Sequence, residues 1–137
     1  MIYVFDASFI GALIIVDEKN PRVDKMYEKI TNEDIKFAPH LIWYEMSSIF
    51  YKLIQHNRFT YNQVMLLFPH LSAVRLTDDY ETGADYSQKL LKLCADYNLS
   101  SYDASYLELA ERKKAILCTL DKGLYTAAKK HGVTVLK

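Results

Sequence analysis

Short apolar runs alternate with amphipathic segments along the 137-residue chain. The first run, Ile2–Phe5, is apolar at every position, which is typical of a strand that is covered on both faces. Four further apolar runs of similar length predict strands at 35–38, 73–76, 115–118 and 133–136. Each run is short enough to cross a sheet once.

The segments between these runs show helical periodicity and carry residues that favour helix ends. Seven helices are predicted, beginning near Ser8, Pro21, Pro39, Thr60, Asp78, Ser101 and Asp121. Alternation of strands and helices indicates an α/β fold with a mostly parallel sheet and right-handed crossovers. No repeat or linker divides the chain, so we expect a single domain over residues 1–137.

Two aspartates follow strands of this predicted sheet directly. Asp6 comes after the first strand and Asp121 after the fourth. Ligands of open parallel sheets bind beyond the carboxyl ends of the strands, so both side chains are expected near the site. Each aspartate also suits the N-cap of the helix that follows it, and this structural role explains either residue taken alone.

Two further acids occur on the apolar faces of predicted helices. Glu45 lies in a stripe with Ile42 and Ile49, and Asp103 is followed at helical spacing by Leu107. Glu108, Glu111 and Arg112 are expected to mark the exposed side of the second helix. A carboxylate directed at a core requires a counter-charge, a metal or a raised pKa.

Convergence of these four acids would be unfavourable without a cation. Two unit charges 4 Å apart repel by about 4 kcal/mol at an effective dielectric of 20. An acidic, all-oxygen site suits Mg²⁺ or Mn²⁺ better than zinc, and hydrated divalent cations of this kind support phosphodiester cleavage. The four glycines form neither GxGxxG nor a phosphate-binding loop, which excludes the common nucleotide-dependent enzymes.

Composition limits the remaining possibilities. The formal net charge is zero, but a metal that neutralises the four acids leaves 17 basic residues against 13 acidic ones, a charge of +4 that permits RNA binding. Lys122 is expected to be solvated, although it follows the fourth acid closely enough to contact a phosphate. Two cysteines without metal spacing favour the reducing cytoplasm, and the longest apolar run is too short to span a membrane.

Four short segments together resemble the motifs of PIN domains, and the VapC-type toxins of toxin–antitoxin pairs are the most similar subgroup. They read VFDAS from Val4, PHLIWYE from Pro39, YDASYLELA from Tyr102 and TLD from Thr119. They occur in the family's order and extend over the whole chain. By motif position, the family's acidic residues match Asp6, Glu45, Asp103 and Asp121, and its neighbouring polar residues match Ser8 and Thr119.

The resemblance implies a three-layer, Rossmann-like α/β domain with a five-stranded parallel sheet of order 3-2-1-4-5 and about seven helices. It implies a Mg²⁺- or Mn²⁺-dependent endoribonuclease that forms a homodimer and is inhibited by a small antitoxin. Asp6, Asp103 and Asp121 are then expected as metal ligands and Glu45 as a ligand or as the base, while Ser8 and Thr119 orient the carboxylates. A housekeeping nuclease remains an alternative to a toxin.

Two other function classes remain open. A non-catalytic module could keep the fold and bind a partner through aromatic residues on the two middle helices, namely Tyr44, Phe50, Tyr51, Phe59 and Tyr61. A small-substrate phosphatase could use Asp6 as a nucleophile, because an aspartate after the first strand suits an aspartyl-phosphate mechanism. The sequence Asp6-Ala7-Ser8 lacks the second aspartate of a DxD motif, which argues against the phosphatase.

Overall fold

The structure is a computed structural model that describes residues 1–136, and a parallel sheet forms its centre. Four strands in the order β3-β2-β1-β4 make up this sheet. Val4 in the central strand lies opposite Phe37 on one side and Leu117 on the other, which sets the register. The strands are β1 (Ile2–Phe5), β2 (Ile35–Pro39), β3 (Thr77–Asp79) and β4 (Ile116–Cys118).

The fifth strand, predicted at 133–136, is reduced to a single bridge. Val135 pairs in parallel with Leu117 of β4, at the edge where a fifth strand was expected. The Leu117 N–H donates to the Thr134 carbonyl at 2.8 Å, and the Leu136 N–H donates to the Leu117 carbonyl at 2.9 Å. The strand order 3-2-1-4 is therefore confirmed, and the pairing beyond β4 is too short to form a fifth strand.

The third strand begins later than its apolar run predicted. Residues 68–73 form a helix, and the buried Val74 packs at the end of that helix instead of in a strand. Arg75 then takes a left-handed backbone conformation with φ 57°, which turns the chain into β3. The apolar residues at 73–76 thus serve the helix end, and the strand itself is the polar segment Thr77–Asp79.

Eight α-helices and one 3₁₀ turn (Val16–Glu18) occur within residues 1–136, one α-helix more than the seven predicted. The helix predicted near Asp78 begins instead at Ala84, because Asp78 belongs to β3. The α-helices are α1 (Ala7–Ile14), α2 (Pro21–Tyr27), α3 (Ile42–Gln55), α4 (Tyr61–Met65), α5 (Phe68–Ala73), α6 (Ala84–Tyr97), α7 (Ser101–Lys113) and α8 (Lys122–His131).

Helices cover both faces of the sheet. Tyr3, Val4 and Phe5 are all buried, although successive side chains of a strand point to opposite faces. Helix α7 packs against β1 and β2 and is itself covered by α6. Every residue of α7 from 104 to 110 is buried, so this helix lies in the interior of the α/β fold. None of the helices within residues 1–136 has the length and apolar character needed to cross a membrane.

Candidate active site

Asp6 lies at the carboxyl end of β1, where it caps α1. Its side chain is 5% exposed, and its Oδ1 accepts hydrogen bonds from the Phe9 N–H at 2.9 Å and from the Ser8 hydroxyl at 2.7 Å. Its Oδ2 accepts a third hydrogen bond from the Thr119 hydroxyl. Burial raises the pKa of Asp6, while the hydrogen bonds from Thr119, Ser8 and Phe9 lower it and the charge of Asp103 raises it; the net direction is upward.

Ser8 and Thr119 join the turn after β1 to the turn after β4. Each hydroxyl donates to Asp6 and accepts from the backbone of the second turn: Ser8 from the Leu120 N–H at 2.9 Å, and Thr119 from the Asp121 N–H at 3.0 Å. Because each hydroxyl has one proton, these acceptor roles direct both protons towards Asp6. The two residues predicted to orient a carboxylate thus hold Asp6 between two strand ends.

Asp121 lies at the start of α8, beside this network. It is exposed, and its Oδ1 accepts a hydrogen bond from the Leu124 N–H at 2.7 Å, which makes it the N-cap of the helix. The structural role foreseen for this residue is therefore present. Its second carboxylate oxygen remains outside the cap, so the same side chain is able to hold a helix end and face a ligand.

Glu45 lies in the first turn of α3 and is half-buried. Its Oε1 accepts a hydrogen bond of 2.5 Å from the hydroxyl of Tyr106, which is buried on α7. Burial raises the pKa of Glu45, the Tyr106 hydrogen bond lowers it, and the charges of Asp6 and Asp103 raise it, with an upward net direction. The negative charges of Asp6 and Asp103 therefore act on the Glu45 carboxylate, although Glu45 lies on a different helix.

Asp103 lies in the first turn of α7, which Ser100 caps through its hydroxyl. Its side chain is half-buried. Burial raises the pKa of Asp103, the charge of Asp121 raises it further, and the hydrogen bond with Ser100 lowers it. Asp103 thus couples to Asp121 on one side and to Asp6 and Glu45 on the other, which makes it the electrostatic centre of the four acids.

The four acids form one electrostatic group at the carboxyl edge of the sheet. The charge of each is coupled to that of at least one other, and a bound divalent cation would offset this repulsion. An all-carboxylate donor set has the chemistry that Mg²⁺ and Mn²⁺ prefer, so these residues fit such an ion by type and location. The fit is one of donor type only: within residues 1–136, no three His, Cys, Asp or Glu side chains lie in an arrangement that holds a metal ion as it stands, so the carboxylates would have to move closer together around a cation.

Tyr106 is a residue of this site that the sequence reasoning missed. Its side chain is 1% exposed and its hydroxyl has Glu45 as its partner. Burial and the adjacent Glu45 charge raise the pKa of Tyr106 far above its usual range, so the phenol remains a proton donor. The sequence did contain a signal for it: Tyr106 follows Asp103 by three residues, a spacing that places both on the same face of the helix.

The middle of α7 differs from the prediction. Glu108 was expected on the exposed side of the helix, but its side chain is 7% exposed. Arg112 pairs with it at 2.8 Å and also binds Asp79 at the end of β3 at 2.6 Å. The pairing across 33 residues gives the buried Glu108 and the half-buried Asp79 a shared cation, and no helical pattern within α7 reveals it.

The aromatic residues expected to bind a partner are only partly at the surface. Tyr44, Tyr51 and Tyr61 are exposed, whereas Phe50 is buried and packs against Phe68 with ring centroids 5.1 Å apart. Additional exposed apolar side chains occur nearby in sequence. The surface of α3, α4 and α5, called here the α3–α5 surface, therefore consists of Tyr51, Tyr61, Met65, Leu66 and Phe68.

Comparisons with known proteins agree with this architecture. A family model described as PIN domain matches residues 3–130. No curated protein sequence matches the chain significantly. Among solved structures, PAE2754 from Pyrobaculum aerophilum superposes with a TM-score of 0.69 at 24% identity, covering 97% of this chain and 82% of its own.

Two further similar structures have names that describe toxins. VapC20 of Mycobacterium tuberculosis, a Sarcin-Ricin loop cleaving toxin, has a TM-score of 0.64 at 14% identity, covering 93% of this chain and 95% of its own. A toxin–antitoxin complex from Klebsiella pneumoniae has a TM-score of 0.57 at 16% identity, covering 87% of this chain and 86% of its own. At these identities the likeness shows a shared fold.

Proposed function

Because this chain belongs to the PIN domain family, we propose that it is a metal-dependent endoribonuclease that hydrolyses RNA phosphodiester bonds and acts as the toxin of a toxin–antitoxin pair. The observation that supports this proposal is the electrostatic coupling of Asp6, Glu45, Asp103 and Asp121 at the carboxyl edge of the sheet. Three of these carboxylates have raised pKa values and share their surroundings with other acids, which favours a divalent cation as the missing counter-charge.

Asp6, Asp103 and Asp121 are the proposed ligands of Mg²⁺ or Mn²⁺. Such an ion supplies an activated water, orients the phosphate and stabilises the charge on the leaving oxygen. Ser8 and Thr119 keep the Asp6 carboxylate in one orientation, because both of its oxygens accept from hydroxyls that are themselves fixed. Without them, only the hydrogen bond from the Phe9 N–H to Oδ1 would hold the carboxylate.

Glu45 is the proposed base for the attacking water, or a further ligand. The Tyr106 hydroxyl occupies Oε1, so Oε2 is the oxygen that remains to accept a proton. The raised pKa of Glu45 brings the carboxylate closer to the range in which a general base works best. In-line attack on the phosphorus would leave a 5′-phosphate and a 3′-hydroxyl.

The test is cleavage of a mixed RNA pool by the purified protein with Mg²⁺ or Mn²⁺, with EDTA as the metal-free control. We expect cleavage that requires the metal and is lost in Asp6→Asn. Asp96→Asn is the matched control, because Asp96 is an exposed acid paired with Lys92 on α6. Products with 5′-phosphate ends support the proposed attack.

The same samples separate the two alternatives. A phosphatase would hydrolyse a generic phosphomonoester and leave RNA intact. A non-catalytic binding module would cleave neither substrate and would show no affinity for Mn²⁺. Failure to cleave many different RNAs, by folded and partner-free protein with metal present, would contradict the nuclease proposal.

We further propose that the chain forms a homodimer and binds a small antitoxin in the cytoplasm. A similar structure is a toxin–antitoxin complex, and the exposed apolar α3–α5 surface supplies a place for a partner. Cys94 and Cys118 are free thiols, which fits a reducing compartment. Light scattering of the purified chain tests the dimer, and Leu66→Glu, which changes an exposed residue, is expected to shift the mass towards the monomer.

A further inference from the structure

Helix α2 carries a basic face beside the acidic site. Arg22, Lys25 and Lys29 are all exposed and follow one another at intervals of three and four residues. At about 100° per residue these positions fall on one side of the helix and its final turn. The acids of the same segment, Asp24 and Glu28, fall on the other side.

The charges of this face are uncompensated. Of the two acids in this segment, Asp24 pairs with Lys19 at 3.6 Å, and Glu28 forms no salt bridge with any of the three cations in the described part of the chain. Among the salt bridges formed within residues 1–136, none includes Arg22, Lys25 or Lys29. Three neighbouring cations without a protein partner repel one another, so a ligand that binds all three has to be anionic.

Two adjoining grooves connect this face to the acidic site. The first, of about 470 Å³, is lined by Thr119 and Asp121 of the site and also by Arg22. The second, of about 360 Å³, begins at the same arginine and continues to Lys25 and Lys29. Since both grooves share Arg22, they form one continuous surface that leads away from the proposed cleavage point.

Lys122 and Tyr125 also line the first groove. Lys122 is exposed immediately after Asp121, and Tyr125 is half-buried on the same side of α8. A lysine and an accessible aromatic ring next to each other match the two parts of a nucleotide, because the cation pairs with the phosphate and the ring stacks on the base. Arg22 and Lys25 of α2, Lys29 in the turn that follows it, and Lys122 are called here the basic strip.

We propose that the basic strip binds the single-stranded RNA that extends from the scissile phosphate, with a base stacked on Tyr125. The inference rests on the proposed function, since it identifies how the substrate of that same site is held. The proposal also explains how a chain with zero net charge binds RNA. An anionic substrate responds more to the cations close to it than to the total charge of the protein.

Binding of a fluorescent oligouridine in EDTA tests this proposal without cleavage. The variant pair Lys25→Ala and Lys29→Ala removes two cations of the strip. We expect binding about tenfold weaker at low salt and a salt dependence reduced by about 1.4, since each lost phosphate contact lowers the slope by about 0.7 for single strands. Circular dichroism confirms that the variant is folded.

The matched control is Lys89→Ala with Lys92→Ala on α6. This pair removes the same charge from exposed positions that line neither groove. We expect the control to bind RNA with nearly the affinity and salt slope of the unchanged protein. Any small loss should be no larger than the change in net charge alone produces. Equal losses in both pairs would overturn the proposal, because the effect would then come from total charge alone.

The two proposals fail in different ways. In the first case, RNA cleavage requires metal and Asp6, but the variant with Lys25→Ala and Lys29→Ala (the α2 pair) binds RNA as well as the α6 control pair does. The nuclease proposal then holds, and the basic-strip proposal is wrong. If the α2 pair alone loses affinity but no RNA is ever cleaved, the strip binds nucleic acid and the nuclease proposal is wrong. Measuring binding in EDTA and cleavage in Mg²⁺ on the same variants therefore separates them.

Discussion

Helix α7 holds one acid in its first turn, Asp103, and one in its middle, Glu108, and these two acids have different surroundings. Glu108 is buried beside Arg112, which also binds Asp79, so its negative charge has a counter-charge supplied by the fold. Asp103 is half-buried, and the charge that acts on its pKa is that of another acid, Asp121. A buried acid that the fold has neutralised serves structure, whereas one left among other acids points to a ligand.

The largest difference is expected in catalysis. Asp103→Asn removes a proposed ligand and should lower metal-dependent RNA cleavage by more than about a hundredfold, the upper range for changes around a metal site. Glu108→Gln keeps the shape of an acid on the same helix and should leave the cleavage rate close to that of the unchanged protein. Comparable losses in the two variants would mean that α7 supports activity only through its stability.

For the stability of the fold, the pairing of Glu108 with Arg112 should matter more than Asp103 does. Arg112→Met leaves Glu108 and Asp79 without their cation, and breaking a buried pair costs about 3 kcal/mol. Urea denaturation measures this loss. Lys92→Met is the control, since its pair with Asp96 is exposed and should contribute less than about 1 kcal/mol. A small loss of stability in Arg112→Met would show that solvent already screens the charges of Glu108 and Asp79.

Tyr106→Phe should affect activity more than stability. The phenylalanine keeps the buried ring but removes the donor to Glu45, so the carboxylate loses its orientation. We expect RNA cleavage to fall about tenfold, with a stability loss of about 1 kcal/mol. Tyr97→Phe is the control, because its hydroxyl bonds His131 instead of a site acid. If both variants reduce cleavage equally, Tyr106 does not act through Glu45.

The smallest expected effect is on the metal-free protein. The raised pKa of Asp103 means that the folded state disfavours its charge above that pKa, so Asp103→Asn should raise the melting temperature by a few degrees at neutral pH in EDTA.

Acidification should remove this difference. As pH falls through the folded pKa of Asp103, the folded protein takes up the proton before the unfolded chain does, and the penalty disappears. Below the ordinary aspartate range, the unchanged protein and Asp103→Asn should therefore melt alike. A lower melting temperature for Asp103→Asn at neutral pH would contradict the repulsion. Asp96→Asn, at an exposed position, is the control in the same melting series.

Local patterns were sufficient for the alternation of strands and helices and for the helix starts with clear caps, whereas the strand order came from the resemblance to the family. The apolar run of β1 and the helix start at Thr60 were both predicted correctly. The start of α6 was not, because the aspartate expected to cap it belongs to β3. A polar three-residue strand has no periodicity long enough to distinguish it from a helix start.

The candidate site shows the same division between local and distant information. The sequence placed Asp6 and Thr119 at strand ends, and the structure joins them by a hydrogen bond. It did not indicate that Tyr106 binds Glu45 or that Arg112 buries Glu108, since the first contact spans 61 residues and the arginine depends on Asp79, 33 residues away. Pairings of this kind arise from tertiary packing, which overrides helix-face patterns.

The hydrogen bond between Thr119 and Asp6 determines when the site can be assembled during synthesis. The two residues are 113 positions apart, and β4 lies directly beside β1 in the sheet. A ribosome releases the amino end first, so one edge of β1 stays unpaired until β4 has emerged. The proposed nuclease therefore has no complete active site until translation has passed Asp121.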